Sequence, residues 1–575
     1  DVRTLTPRLE YPLGKDPLTL DESGESLTHI AIQLSDDIVG LAATTIDNRL
    51  VFTRYLREQS FISEDITIEL ETRSELAFEH KISSIALTPG LDHLYAAIAG
   101  GKLEDFSLDD EGFDGNRTEF HFEHDITRLK VLLGGSSLMV GMENGEVQQW
   151  MSVRKDGGRE LTFIRNFHEN TEAVTSIATE QQRKGFAVAD TLGDITIYYS
   201  TSQRTLASIN TADTQIDQMA WSARAQNLIV ADSNNKIRLY EVDNEYPEIS
   251  WDVLWSKVWF EGYDEPDYIW QSSASNNDFE PKYSLMPLAF GTIKAAFYAM
   301  LFAVPIAILG AMFTAQFMAP RMRQTVKPAI EIMEALPTVI LGFLAGIFTL
   351  LLILPVGFLV CAWLWSVIPN KSVYEGWEAA LLIPVVLLLI WISMSLSSPI
   401  EHLFFDGDLR TYISNEWGLN YDQRNALVVG LIMGFAVIPT IFSIAEDALF
   451  SVPQHLVRGS LALGATRWQT MTSVILPAAS PGIFSAVMMG FGRAVGETMI
   501  VLMATGNTPL MDMSIFQGMR TLAANLAVEV PEAEVFSTHY RVLFLAALIL
   551  FLFTFVFNTL AEIIRQRLRQ RYSGL

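Results

Sequence analysis

Cysteine is almost absent: 575 residues carry one, Cys361, inside an apolar run. One cysteine closes no internal disulfide and builds no cysteine-based metal site, so it reads as a packing residue. A Gly-rich loop ending in Gly-Lys-Ser or Gly-Lys-Thr is also missing, which excludes P-loop nucleotide hydrolysis by this chain. The first half shows no metal-ligand cluster and no triad pattern, and its histidines are scattered. Basic charge is short as well, 40 Lys+Arg against 66 Asp+Glu, a net −26. Residues 281–575 hold 17 of each sign, so the whole deficit lies in residues 1–280. A strongly acidic domain repels nucleic acid and anionic lipid heads. The sequence begins at Asp1 with no signal-peptide pattern, and a further N-terminal segment with a first membrane span is expected.

What is present is a polar half, 1–280, joined to an apolar half, 281–575. A membrane span needs about 20 predominantly apolar residues. The first runs over Leu285–Met318. The stretch Leu336–Ile368 would be about 50 Å long as one helix, against a hydrocarbon core of about 30 Å, so two spans meeting near Pro355-Val356-Gly357 are expected. Further spans are Trp377–Leu396, Ala426–Ala445, Pro481–Thr505 and Arg541–Ile564, seven in all. Basic loops face the cytoplasm. Placing the tail Arg565, Arg567, Arg569, Arg571 and the cluster Arg321, Arg323, Lys327 on that side puts residues 1–280 and the loop Gly506–Tyr540 outside.

Residues 28–240 contain a repeat. Ile30, Ile85, Leu129, Ile177 and Met219 occupy matching positions, 55, 44, 48 and 42 residues apart. Each unit holds apolar strands separated by turns, and the turns before the third strand are Asn144-Gly145, Gly193-Asp194 and Asn234-Asn235. Those residues tolerate the positive φ of tight hairpins. Third strands alternate, as in Ile195, Ile197, Tyr199. The spacing resembles a WD-type β-propeller, without its Gly-His and Trp-Asp signatures. Five units are visible, and Asp1–Glu25 is a candidate to complete a blade; an irregular β-sandwich is the alternative.

Two stretches in the apolar half carry the functional pattern. Residues 446–480 lie between spans and read as a helix–turn–helix, with a turn at Gly464–Thr466 and an amphipathic piece, Trp468–Ile475, stopped by Pro477. An exposed element of this kind suits docking of a partner. Gly464, followed nine residues on by Val474-Ile475-Leu476-Pro477, resembles the coupling motif of ABC importer permeases; Arg458-Gly459-Ser460 stands where that motif has Glu-Ala-Ala. The segment GFGRAVGETMIVLMATGN, Gly490–Asn507, closely resembles the Gly-Arg-Ala-x-Gly-Glu-Thr signature of phosphate-specific (Pst-type) permeases. EALPTVILGFLAG, Glu334–Gly346, and GTIKAAFYAMLFAVPIAILGA, Gly291–Ala311, are similar to earlier spans of the same family. The resemblance covers about residues 285–350 and 425–570; the hairpin 351–397 and the N-terminal domain lie outside it.

The resemblance implies a multi-domain chain: an all-β propeller-like domain, 1–280, outside a bacterial inner membrane, and a polytopic α-helical permease domain, 281–575. It implies a non-enzymatic subunit of an ATP-driven phosphate importer. Expected partners are a second permease, a dimeric cytoplasmic ATPase that carries the ATP and Mg, and a periplasmic phosphate-binding protein. No cofactor or metal is expected in this chain. Coupling to the ATPase falls on Arg458, Gly459, Ser460, Gly464, Ala465, Thr466, Val474, Leu476 and Pro477. Charges inside spans are functional candidates because burying them in lipid is costly. Arg493 and Glu497 are four apart and would share one helix face. Arg493 offers a planar fork to phosphate, Glu497 would compete for it, and Thr498, Thr505, Asn507 and Thr508 add polar groups on the way out. The alternatives are structural locking of the bundle by the pair, a permease for molybdate or phosphonate, a propeller-bearing membrane enzyme, and a phosphate-signalling scaffold.

Overall fold

The computed structural model describes residues 13, 17–35, 37–59, 66–155, 158–167, 172–211, 214–273, 280–335, 337–338 and 409–572, with scattered positions between 384 and 403. The chain divides into two compact units, Asp1–Tyr283 and Ser284–Leu575.

The first unit is a five-bladed propeller-like array. Four blades are four-stranded antiparallel sheets in sequential order, and the fifth has three strands. The innermost strands are Leu27–Ser35, Ile82–Leu87, Ile126–Val131, Val174–Thr179 and Ile216–Trp221. The repeat positions Ile30, Ile85, Leu129, Ile177 and Met219 all fall on these strands. Hairpin turns use the expected chemistry: Gly145 and Gly193 adopt φ of 84° and 89°, and Asn235 adopts 57°. Asp190 Oδ1 accepts the backbone N–H of Leu192 and Asp194, and Asp232 Oδ1 does the same for Asn234 and Lys236. Apolar side chains fill the space between successive blades. Leu50 and Phe52 of blade 1 meet Leu87, Leu94 and Phe106 of blade 2, all buried, and each stabilises the array by roughly 1.5–3 kcal/mol through area removed from water.

The expectation that Asp1–Glu25 completes a blade is corrected for its described part. Leu18 and Leu20 cover Val39, Leu41 and Tyr55 of blade 1, and Tyr55 Oη donates to Thr19 O at 3.0 Å. The described residues of the segment, 13 and 17–25, cap a blade face and add no strand to the fifth sheet.

The end of this unit is pinned by buried charge. Lys184 Nζ pairs with Glu261 Oε2 at 2.6 Å, and Ser137 Oγ donates to Glu261 Oε1 at 2.5 Å. Arg165 donates to the carbonyls of Ser200, Thr201 and Trp259. Glu280 accepts from Thr201 Oγ1 and from Tyr199 Oη, in the field of Glu261, Lys184 and Arg165, with Lys282 Nζ on its backbone carbonyl. Burial pushes the Glu280 carboxyl up from 4.5 to about 7. The folded unit therefore holds a proton that the unfolded chain has released, and this contribution to stability is present below about pH 4.5 and lost as pH rises towards 7. Across that window the unit is expected to lose up to about 3 kcal/mol of stability from this group. Thermal unfolding followed by near-UV dichroism at pH 5 and pH 8 checks it, and the difference should shrink in Glu280→Gln.

Among the described residues of the second unit, four helices are long and apolar enough to cross a membrane: Met286–Gln316, Ala426–Phe450, Arg467–Val495 and Thr538–Arg567. The spans expected in Leu336–Ile368 and Trp377–Leu396, and the hairpin 351–397, lie outside the described residues. The first span shows how an all-apolar helix chooses its faces. Ala295, Ala299, Ala303, Ala307 and Ala311, four apart, are buried, while Ile293, Phe297, Leu301, Leu309 and Phe313 are exposed. Small residues let backbones approach. A Cβ on Gly430 of the second span would press on Tyr298, and one on Gly434 would sit 3.0 Å from the Ala299 carbonyl. Pro305 and Pro439 lie inside these two helices without breaking them.

Candidate functional site

The third span departs from the sequence reading at both ends. It begins at Arg467, so the piece Trp468–Ile475 is continuous with the membrane helix. Pro477 does not stop it. A π-helical turn, Met471–Ile475, immediately precedes the helix Leu476–Val495, which has Pro477 in its first turn. The wide turn accommodates a residue that lacks an N–H and crowds the preceding turn. At the other end the helix stops at Val495, with Gly496 as its cap, and a separate six-residue helix follows at Met499–Ala504.

That break overturns the pairing of Arg493 with Glu497. Glu497 lies past the helix end, and its Oε1 accepts from the backbone N–H of Met499 and Ile500 at 3.2 and 3.3 Å. Arg493 Nη1 instead donates to Glu334 Oε1 at 2.8 Å and to Thr440 Oγ1 at 2.6 Å, and Thr440 Oγ1 also donates to Glu334 Oε1 at 3.0 Å. Three segments thus meet at one guanidinium: the end of the helix Pro320–Glu334, the second span and the third span. The group is part-exposed, with 29% of the Arg493 side chain and 43% of Glu334 accessible. Among the described residues, Glu334 is the carboxylate that holds Arg493.

Beyond the break, Thr498 Oγ1 donates to Gly496 O at 3.3 Å. Thr505 Oγ1, buried, accepts from Asn507 N at 3.1 Å, and Asn507 Oδ1 is buried without a hydrogen-bond partner among the described residues. The chain then returns along the start of the second span: Leu427 N donates to Ile515 O, Ala426 N to Gln517 O and Asp422 N to Phe516 O, at 2.8 to 3.0 Å. Asn507, Thr498 and Glu497 are near in sequence to Arg493, but among the described residues no side-chain hydrogen bond or ion pair joins them to its guanidinium.

The turn at 454–470 forms as its residues dictate. Helix Gln454–Ala462 ends before Gly464, whose φ of 88° favours glycine. Thr466 caps the next helix reciprocally with Gln469, a capping box. Ser460 Oγ and Thr470 Oγ1 share a hydrogen bond of 3.0 Å across the turn. Arg458 and Gly459 are exposed, Ala465 and Val474 half-buried, and Leu476 half-buried beside exposed Pro477. Leu461, Leu463 and Trp468 project outward, Leu463 at 91% exposure. The exposed apolar tip is flanked by Arg458 and Arg467, both exposed as well.

Sequence reasoning missed three residues. Glu334 and Thr440 lie 159 and 53 positions from Arg493, beyond any local pattern. Lys294 could have been found, because it is a charge inside the first span. It is 1% exposed, and its Nζ has no hydrogen-bond partner among the described residues. No group of three or more potential metal ligands occurs among the described residues.

Residues 297–572 match the family model described as binding-protein-dependent transport system inner membrane component. The helical unit is a permease domain of that family, the membrane component of an ABC importer. Its homologues include phosphate permeases over the C-terminal half of the chain. The phosphate transport system permease protein PstC of Xylella fastidiosa is 28% identical over 296 residues, 51% of this chain and 78% of that protein. PstC 1 of Mycobacterium bovis is 27% identical over 283 residues, 49% of this chain and 71% of that protein. A probable ABC transporter permease protein of Bacillus subtilis, YqgH, is 27% identical over 290 residues, 50% of this chain and 74% of that protein. Among solved structures, the β-propeller domain of Myceliophteria thermophila Cps50 (Swd1) overlays 38% of this chain and 68% of that chain at 14% identity, with a TM-score of 0.28. The propeller assignment rests on the strand order and pairing alone.

Proposed function

We propose that the chain is the permease subunit of an ATP-driven phosphate importer in a bacterial inner membrane, with the propeller unit on the periplasmic side. The observation that carries the reading is Arg493, held in a span by Glu334 and Thr440. Phosphate meets the guanidinium fork in place of the Glu334 carboxylate, and the return of Glu334 releases it. Glu497, Thr498 and Asn507 line the onward path, where Glu497 fixes the start of the short helix Met499–Ala504. The relatives named as phosphate transport permeases support phosphate over molybdate or phosphonate.

Arg458, Gly459, Ser460, Gly464, Ala465, Thr466, Val474, Leu476 and Pro477 form the coupling element. The exposed Leu461, Leu463 and Trp468 provide the apolar anchor that a dimeric ATPase, carrying ATP and Mg, would cover. A second permease and a periplasmic phosphate-binding protein complete the importer. The test is uptake of labelled phosphate into vesicles holding this chain with those partners. ATP-dependent uptake that resists excess molybdate and phosphonate is expected. Uptake displaced by either anion would reassign the substrate, and an intact complex that moves no phosphate would defeat the reading.

A further inference from the structure

Residues 1–280 carry the chain's whole net charge of −26, yet the cavity among the blades gathers cations. That cavity, about 400 Å³, is lined by residues from the innermost strands of all five blades, among them His29, Arg128, Lys130 and Asp217. At about 30 Å³ per water it has room for on the order of ten waters, enough for a hydrated ion. Arg128 and Lys130 sit two apart on one strand, with Leu129 buried between them, so the pleat sends both to the same side. Arg128 Nη1 donates to Thr127 O at 2.9 Å, and neither cation forms an ion pair with a carboxylate among the described residues. Asp217, on the fifth blade, acts on Arg128 only through its field. A neighbouring cavity shares His29 and Arg128 and adds Lys81, Asp125 and Glu143. Asp125 is partly committed, accepting Gly100 N at 3.1 Å.

We propose that this cavity is an oxyanion site in its own right, in which Arg128 and Lys130 bind a small tetrahedral anion of the phosphate class. The arginine supplies a fork of parallel donors and the lysine a point charge, the usual pairing for phosphate oxygens. Desolvation among the blades holds half-buried Arg128 below its usual range despite Asp217, and holds Lys130 low as well, although the Lys130 side chain stays exposed. Burial, with the charges of Arg128 and Lys81, holds the His29 imidazole low. An anion among them relieves that cost. The site is independent of the membrane path, since it uses no residue of the second unit.

The test is equilibrium dialysis of labelled inorganic phosphate against the purified full chain in detergent. The wild-type chain is expected to bind phosphate at millimolar concentration or below. In a chain already carrying Arg493→Gln, which removes the proposed membrane-path contact, phosphate binding should persist, and adding Arg128→Gln/Lys130→Gln should weaken it at least about tenfold. Asp217→Asn removes the one carboxylate of the main cavity and should tighten binding, a gain that a misfolded protein does not give. If the wild-type chain binds no phosphate, or if the double substitution and Asp217→Asn both leave binding unchanged, the proposal is wrong. If binding is lost only in Arg493→Gln, the propeller site falls while the membrane reading stands.

Discussion

Arg493→Gln is expected to lower ATP-driven phosphate uptake by about 10- to 100-fold, the loss of one charge-assisted contact of 1.5–3 kcal/mol. Gln is shorter than Arg and gives up the Nη1 contact to Thr440 along with the charge, so assembly of the bundle is checked by size-exclusion chromatography beside the uptake assay. Glu334→Gln should do something different. Removing the competing carboxylate leaves Arg493 free for substrate, so the apparent KM for phosphate should fall, and Vmax should fall with it because nothing displaces the anion. Glu497→Gln keeps an acceptor for the Met499 and Ile500 amides and should change both parameters least. Initial rates across a phosphate series in reconstituted vesicles separate the three. Normal uptake in Arg493→Gln would reduce the residue to a lock between helices, and equal effects from Glu334 and Glu497 would argue against the exchange.

The second large effect is on stability. Glu446, in the second span, has a fully buried side chain and pairs with Arg323 and with Lys327 Nζ, the latter at 3.1 Å; Lys327 also reaches Asp447 at 2.8 Å. Both cations lie on the helix Pro320–Glu334, so Glu446 ties that helix, and Glu334 at its end, to the second span. Glu446→Ala should cost about 3 kcal/mol, because removing the buried carboxylate strands part-buried Arg323 and leaves Lys327 with Asp447 alone. A lowered melting temperature in detergent checks it. Replacing Arg323 and Lys327 by methionine in the same protein should restore most of the loss. Without that recovery the damage would come from the cavity left by the side chain, not from stranded charge. Phosphate uptake should fall along with stability, since the partner of Arg493 is carried on the loosened helix.

The blades were legible because each repeats the same burial problem at the same spacing. Val188, Leu228 and their equivalents are apolar wherever a strand is covered on both faces, and Gly193 and Asn235 mark where the chain turns. The fourth strands were harder to place: Gly112–His121 is largely exposed, so it carries little apolar signal. Arg493 stood out as a charge in a span, and Gly464 as a turn glycine. Glu334 and Thr440 could not be found from spacing, because packing, not sequence distance, brings them to Arg493. Glu497 was misassigned because a four-residue interval implies a shared face only while the helix continues, and Gly496 ends it. Pro477 was misread for the converse reason, since a wide turn can carry a helix through a proline.

That wide turn also sets an angular phase. Each residue added to or removed from a helix rotates everything after it by about 100°. Ile475 closes the turn and is fully buried; Arg493 follows eighteen residues later, about five whole turns at 3.6 residues each. The side that packs at the coupling end is therefore the side that presents the guanidinium. A span rewound as uninterrupted α-helix would arrive at Glu334 and Thr440 with Arg493 turned roughly a quarter of the way round. The five residues Met471–Ile475 thus act as a clocking element, matching the azimuth of the helix–turn tip to that of Arg493 in the last turn of the span.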